Sequence, residues 1–291
     1  MGHPIRKVIF PLGGMGTRLL PATKSVPKEM LPILDVPLLQ YAIDEAVNSG
    51  FEELIFVTGS NRPVLEDYLS PSPKLNQLLE EKGKQNLLEI LGKIIPAGTK
   101  TTFVDQTEPK GLGHAVWCAR EHVQGENFAV ILTDDLIISQ TPTLKQMIDA
   151  LQPTMNAVVA AMEVADCDVN KYGIFDTNHQ DGRCSYACDI VEKPSPADAP
   201  SRLAAVGRYI LTPAVLNAIE SLKPGAGGEI QLTDAIAAST NDHSLCAYRF
   251  EGTRYDCGSK EGILEATLSL ALEDENLKAI VEKVVASRKA A

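Results

Sequence analysis

Residues Leu12 to Pro32 read LGGMGTRLLPATKSVPKEMLP and follow directly on the apolar run Val8-Ile9-Phe10. An apolar run that ends in a glycine cluster predicts a buried strand opening into a loop. Backbone N–H groups in such a loop can come close to a phosphate, because glycine has no side chain to keep the ligand away. The cations follow at once: Arg18, Lys24 and Lys28 lie inside the stretch. From Met1 to Met30 five cations (Arg6, Lys7, Arg18, Lys24 and Lys28) face Glu29 alone, a local +4 in a chain of net charge -11. Pro21, Pro27 and Pro32 stiffen the loop. A rigid, locally cationic loop on an acidic chain suits a small polyanionic ligand.

The spacing excludes two common phosphate loops. There is no G-x-x-x-x-G-K-[ST], and Gly13, Gly14 and Gly16 do not make G-x-G-x-x-G. Composition narrows the rest. With 291 residues and 44% apolar content the chain can bury a sizeable core. The net charge argues against a nucleic-acid partner, which needs a basic face. No apolar stretch approaches the roughly 18 residues of a spanning helix, and no signal-like segment opens the chain, so the expectation is a cytoplasmic protein without a membrane partner. The six cysteines show no C-x-x-C. Cys184 and Cys188 near His179 have poor metal spacing, and reduced, unpaired thiols are expected.

Strand patterns fall at Lys7–Leu12, Glu53–Thr58, Thr101–Asp105, Phe128–Thr133, Ala157–Val164, Ser185–Glu192, Ala205–Leu211 and Leu245–Glu251. Between the first two, Leu39, Ala42, Ile43, Ala46 and Val47 recur at helical spacing, and Asn48-Ser49-Gly50 supplies a stop. Alternating strands and helices predict an α/β, Rossmann-like, doubly wound sheet, with ligands beyond the carboxyl ends of its strands. Pro73 to Ile95 reads as a polar helix that Gly83 divides. After Ala157 strands dominate, with turn-rich spacers at Asn178–Arg183 and Ser195–Ser201, which makes the sheet mixed. A stripe of Leu277, Ile280, Val281, Val284 and Val285 predicts a C-terminal helix packed either on its own domain or on another subunit.

Asp134 and Asp135 stand at the end of the buried pattern Phe128–Leu132. A carboxylate there, facing a phosphate loop, is a natural Mg2+ ligand, since magnesium often takes only one or two carboxylates beside substrate phosphates. Gln106 precedes a second glycine turn, Lys110-Gly111-Leu112-Gly113-His114-Ala115. Its amide matches the donor–acceptor edge of a pyrimidine. His114 reads as a structural helix-start residue. Glu192-Lys193-Pro194, read by itself, is a solvated surface pair at a strand end.

Together these blocks resemble the sugar-nucleotide pyrophosphorylases (sugar-1-phosphate nucleotidylyltransferases), whose signature is G-x-G-T-R-(x)n-P-K. Within them P-A-T-K-x-x-P-K-E-M-L-P, K-G-L-G-H-A and G-E-I-Q-L-T-D-A-I resemble the bacterial branch that uses UTP and glucose 1-phosphate. The resemblance spans residue 7 to about 265. It implies one nucleotidyltransferase unit over 1–291, with a nucleotide-binding part at about 1–156, a strand-rich sugar-binding part at 157–256 and C-terminal helices at 257–291. It implies nucleotide contacts from Leu12, Gly13, Gly14, Gly16, Thr17, Gln106, Gly111 and Asp134, and catalytic charge from Arg18 and Lys28. Sugar-phosphate contacts fall to Gly173, Glu192, Lys193 and Val206. Asp134 becomes the Mg2+ ligand, Asp256 either a second ligand or a structural turn, and Asp135 a loop or helix-capping residue. Family relatives are homo-oligomers, dimers or tetramers. TTP or CTP in place of UTP, or a non-catalytic regulatory paralogue, remain as alternatives.

Overall fold

The computed structural model describes residues 5–123, 125–241 and 243–289. Its strands are β1 (Lys7–Pro11), β2 (Pro32–Ile33), β3 (Val36–Pro37), β4 (Glu53–Thr58), β5 (Lys100–Asp105), β6 (Phe128–Ile131), β7 (Asp135–Ile138), β8 (Ala157–Glu163), β9 (Gly173–Asp181), β10 (Cys184–Glu192), β11 (Leu203–Leu211), β12 (Leu245–Arg249) and β13 (Thr253–Asp256). Nine of them form one sheet in the order β5-β4-β1-β6-β11-β8-β12-β10-β9. The first four are parallel, as helical crossovers require. β11 then enters antiparallel to both β6 and β8, and the sheet becomes mixed.

Successive side chains on a strand point to opposite faces, so a fully apolar strand must be covered on both sides. β1 meets that demand. Val8 and Phe10 join one core layer with Leu39, Ala42, Ile43 and Ala46 of the helix Leu38–Asn48. Ile9 joins the opposite layer with Ala115 and Val116 of the helix Leu112–Cys118 and Val215 of the helix Pro213–Ser221. The result is helices over both faces of a central sheet. A third cluster, with Leu136, Tyr255, Cys257 and Ala266, packs the β7–β13 pair against the helix Lys260–Glu273.

Gly83 divides the region after Pro73 as expected: it adopts φ +63° between the helices Pro73–Glu81 and Gln85–Gly92. Two expectations are corrected, and a third is narrowed. The spacer read at Asn178–Arg183 is strand as far as Asp181, joined to β10 by a two-residue turn in which Gly182 has φ +56°. The outer part of β9 is exposed, so its polar residues carry no apolar alternation. The thiols are not all unpaired: Cys184 and Cys246 form a disulfide with Cα atoms 5.5 Å apart. They are 62 residues apart in sequence, and only the pairing of β10 with β12 makes them neighbours. The C-terminal stripe does form a helix, Glu275–Lys289, yet Ile280 and Val284 remain more than half exposed, so its own domain does not bury it.

Candidate active site

Two cavities open beyond the carboxyl ends of the parallel strands, where a doubly wound sheet binds ligands. One, about 280 Å3, is lined by Gly13, Gly14, Lys28, Gln106 and Gly111 among others. The other, about 330 Å3, is lined by Arg18, Gly173, Glu192, Lys193, Arg254 and Asp256 among others. They share Leu112, Leu132, Asp134 and Glu229, so Asp134 stands at their junction. The loop from Gly13 to Lys28 bounds a further hollow of about 460 Å3 that includes Thr17. A larger cavity of about 800 Å3 lies at the opposite ends of the strands, but its Arg6, Lys7 and Lys100 are already paired with Glu52, Glu126 and Glu53.

The glycine loop is shaped by close approach. Gly16 has φ +59°, and its carbonyl accepts the Thr23 hydroxyl at 2.8 Å. A methyl group on Gly13 would lie 2.8 Å from Gln106 Oε1. Asn61 ties the loop to the sheet: its Nδ2 donates to Leu12 O at 2.6 Å and its Oδ1 accepts from Gly59 N. Gly111 sits at φ +104°, where a methyl would come within 2.7 Å of Ile230 O. Glycine alone fits there.

The charges converge on Gly258. A methyl placed on it would lie 3.0 Å from Arg18 Nη2, 3.1 Å from Asp256 Oδ1 and 3.2 Å from Asp134 Oδ2. Two carboxylates, Asp134 from the turn between β6 and β7 and Asp256 from β13, thus line one cavity, a donor set that fits a magnesium ion completed by phosphate oxygens and water. Lys28 Nζ lies 2.7 Å from Asp134 Oδ2. Burial alone would raise the Asp134 pKa, but Lys28 and Arg18 outweigh it and hold the carboxyl below its usual range. Burial would likewise lower Lys28, and Asp134 with Glu29 reverse the sign. Both groups stay charged at neutral pH.

Asp135, read from sequence as a loop or capping residue, is neither. It opens β7, is buried, and accepts Gly207 N at 2.7 Å and Arg254 Nε at 2.6 Å. Arg254 also donates to Tyr172 Oη at 2.9 Å. This bridge joins β7, β11 and β13 beneath the sugar-side cavity. A methyl on Gly207 would lie 2.6 Å from Asp135 Oδ2, so the contact demands glycine. Sequence reading missed Arg254, Gly207 and Tyr209 as cavity residues. The Arg254-Tyr255-Asp256 run was the signal, since β13 pairs with β7 in the register Asp256↔Asp135.

Of the four expected sugar-side residues, Gly173, Glu192 and Lys193 line one cavity and Val206 does not. Glu192 Oε2 accepts the Thr233 hydroxyl at 2.9 Å, and its Oε1 lies 3.0 Å from Lys193 Nζ. Gly173 admits Thr233, whose Cγ2 would lie 2.8 Å from a methyl there. Leu12 and Val206 are buried in the core and line neither cavity, and Gly16 lies within its loop.

Over residues 7–273 the sequence matches the family model described as nucleotidyl transferase. The chain belongs to the nucleotidyl transferase family. This nucleotidyl transferase is 46% identical to the UTP–glucose-1-phosphate uridylyltransferase of Bacillus subtilis strain 168 over 274 residues, 94% of each chain. It is 45% identical to the protein of the same name from Staphylococcus haemolyticus, over 94% of this chain and 95% of that one. Its fold matches a UDP-glucose pyrophosphorylase solved in complex with UDP-glucose, with TM-score 0.84, 42% identity and coverage of 93% and 100%. It also matches the UTP-bound enzyme from Acinetobacter baumannii, with TM-score 0.88, 37% identity and coverage of 97% and 99%.

Glu29 is a buried side chain whose two carboxylate oxygens have no hydrogen-bond partner among the described residues. Burial pushes its pKa up from 4.5 to about 7. The folded state therefore holds a proton that the unfolded chain releases above about 4.5, and stability falls as pH rises from there through about 7. The full effect is about 3 kcal/mol above that window. Glu29→Met fills the same space without charge. Urea unfolding is expected to show its gain over the parent growing between pH 5 and pH 8; an equal difference at both pH values would refute the assignment.

Proposed function

We propose that this nucleotidyl transferase joins UTP to α-D-glucose 1-phosphate, giving UDP-glucose and pyrophosphate. The observation that carries the reading is the pair of cavities meeting at Asp134, one rimmed by the glycine loop and Gln106, the other by Glu192 and Lys193. The relatives at about 45% identity over nearly the whole chain bear the same activity in their names.

A phosphate oxygen of the sugar attacks the α-phosphorus of UTP. The bond to the bridging oxygen breaks on the opposite side, and pyrophosphate carries away the electron pair. The nucleophile is already ionised at neutral pH, so no general base is required. The barrier is charge repulsion and misalignment, and the chain's part is to relieve both. Gly13 and Gly14 admit the triphosphate, and Arg18 meets the charge that grows on its leaving group. Lys28 neutralises phosphate oxygens at the reacting centre. Lys193 holds the sugar phosphate and Glu192 accepts sugar hydroxyls, while Gln106 and Gly111 take the uracil. Asp134 and Asp256 would hold Mg2+, which supplies positive charge to the phosphates when bound. In this reading residues 1–156 serve the nucleotide and 157–256 the sugar. The exposed apolar stripe of the helix Glu275–Lys289 supports a homo-oligomer, dimer or tetramer. No described helix is long and apolar enough to cross a membrane, and the reading places the enzyme in the cytoplasm.

The deciding experiment is pyrophosphate release with glucose 1-phosphate and Mg2+, offering UTP, TTP, CTP, ATP and GTP in parallel. UTP is expected to be strongly preferred. Preference for TTP would overturn the base assignment and keep the metal site. Silence with every nucleotide, in folded protein, would overturn the catalytic reading.

A further inference from the structure

The Gln106 amide has two different faces, and its neighbours decide which face the nucleotide-side cavity receives. Gln106 follows β5, and its backbone N donates to Thr58 O at 2.8 Å. Its side chain is buried. Nε2 lies 3.3 Å from Gly111 O and 3.0 Å from His114 Nδ1. A carbonyl can only accept, so the face toward Gly111 must be the NH2 group. The nitrogen that His114 presents to that NH2 must then be the unprotonated one, with the ring proton on Nε2. Burial and the nearby Lys110 both disfavour the charged ring, while Glu108 pulls weakly the other way. Cys118 Sγ stands 3.9 Å from both ring nitrogens, one helical turn along, and packs against the ring.

With Nε2 held in this way, Oε1 turns toward Gly13, where a methyl group would lie only 2.8 Å away. Gly13 and Gln106 line the same cavity. The cavity is thus offered a fixed hydrogen-bond acceptor. Uracil carries an N3–H that can donate to it. Cytosine carries a bare lone pair at N3 and is repelled. Were the amide to rotate by half a turn, its NH2 would face the base and suit cytosine, but Oε1 would then oppose the Gly111 carbonyl, and His114 would have to carry its ring proton on Nδ1 instead of Nε2.

We propose that His114 is a positioning residue that locks the Gln106 amide with its oxygen toward the base and so sets the choice of a keto pyrimidine over cytosine. The inference rests on the uridylyltransferase reading and on Gln106 as its base contact. It extends to TTP equally, since thymine shares the N3 donor.

The test is the ratio of kcat/KM for UTP to that for CTP in the full-length enzyme. His114→Phe keeps an aromatic ring and removes the acceptor, and is expected to lower the ratio tenfold or more. His114→Asn places an amide oxygen where Nδ1 stood and is expected to restore most of the ratio. A purely structural His114 would depress both nucleotides alike, so an unchanged ratio in His114→Phe overturns the proposal. His114→Leu gives the same readout if the Phe variant does not accumulate. Gln106→Leu separates the two levels. If it leaves the ratio unchanged, the base contact itself is refuted. If it collapses the ratio while His114→Phe does not, only the positioning role fails.

Discussion

Asp134→Asn is expected to lower turnover by about a thousand-fold or more while the protein stays folded, because this carboxylate serves both cavities at once. Removing a single preorganised charge-stabilising group from an active site commonly costs about a hundred- to a thousand-fold, and here two such functions converge. Asp134 lies with Asp256 and Arg18 around the bare Cα of Gly258, and these two carboxylates are the ones proposed to hold the metal. It also holds Lys28 Nζ at 2.7 Å, and so keeps that cation poised beside the phosphates. Asparagine preserves the shape and removes the charge from both. The neighbouring carboxylate supplies the contrast. Asp135 is buried and spends its oxygens on Gly207 and Arg254, so Asp135→Asn should fall mainly on stability. Steady-state kinetics, circular dichroism and Mn2+ binding measured by electron paramagnetic resonance would separate the two variants. Near-normal kcat in Asp134→Asn, or unchanged Mn2+ affinity, would sink the assignment. Because its neighbours hold Asp134 below the usual carboxylate range, no acid limb from this group is expected near neutral pH.

The same pair of residues shows where sequence reading succeeds and where it stops. Asp134 was legible because its cause is local: a buried apolar strand ends, and a carboxylate follows beyond its carboxyl end. The loop from Leu12 to Pro32 was legible for the same reason, since glycines, cations and prolines act within one segment. Gln106 was read as a base contact and stands in one cavity with Gly13 and Gly111, but its amide's orientation was not legible, because its partners Gly111 and His114 belong to the following turn. Asp135 was misread because its partners are remote: Gly207 is 72 residues away and Arg254 119. The disulfide between Cys184 and Cys246 was hidden in the same way. The antiparallel insertion of β11 between β6 and β8 also escaped. All nine of its residues are buried, and burial on both faces does not reveal direction. What the sequence leaves unread is long-range pairing between short elements.

Arg208→Met is expected to destabilise the protein by about 3–5 kcal/mol, while Glu45→Leu combined with Arg208→Met recovers most of the loss. The two side chains are only 2% and 8% exposed, and form the most deeply buried ion pair among the described residues. Arg208 Nε donates to both Glu45 oxygens at 3.0 Å, and Nη2 reaches Oε2 at 2.8 Å. Its Nη1 donates to Leu132 O and Gly207 O, each at 3.0 Å. Glu45 Oε1 in turn accepts Leu144 N at 3.1 Å. The pair therefore ties the helix Leu38–Asn48, the helix Thr143–Ala150 and β11 to the strand end that carries Asp134. Removing the arginine alone leaves a buried carboxylate with only the Leu144 N–H. Leu132 O and Gly207 O keep the backbone donors Asp135 N and Leu132 N, so desolvation of the unpaired charge is the cost. Removing both charges leaves only Leu144 N to find a new partner. A double-mutant cycle in urea measures the coupling. A loss below about 1 kcal/mol in Arg208→Met would mean that water reaches Glu45. Arg208 lines neither cavity. At a temperature where the variant remains folded, its turnover should therefore stay within several-fold of the parent, which sets it apart from Asp134→Asn.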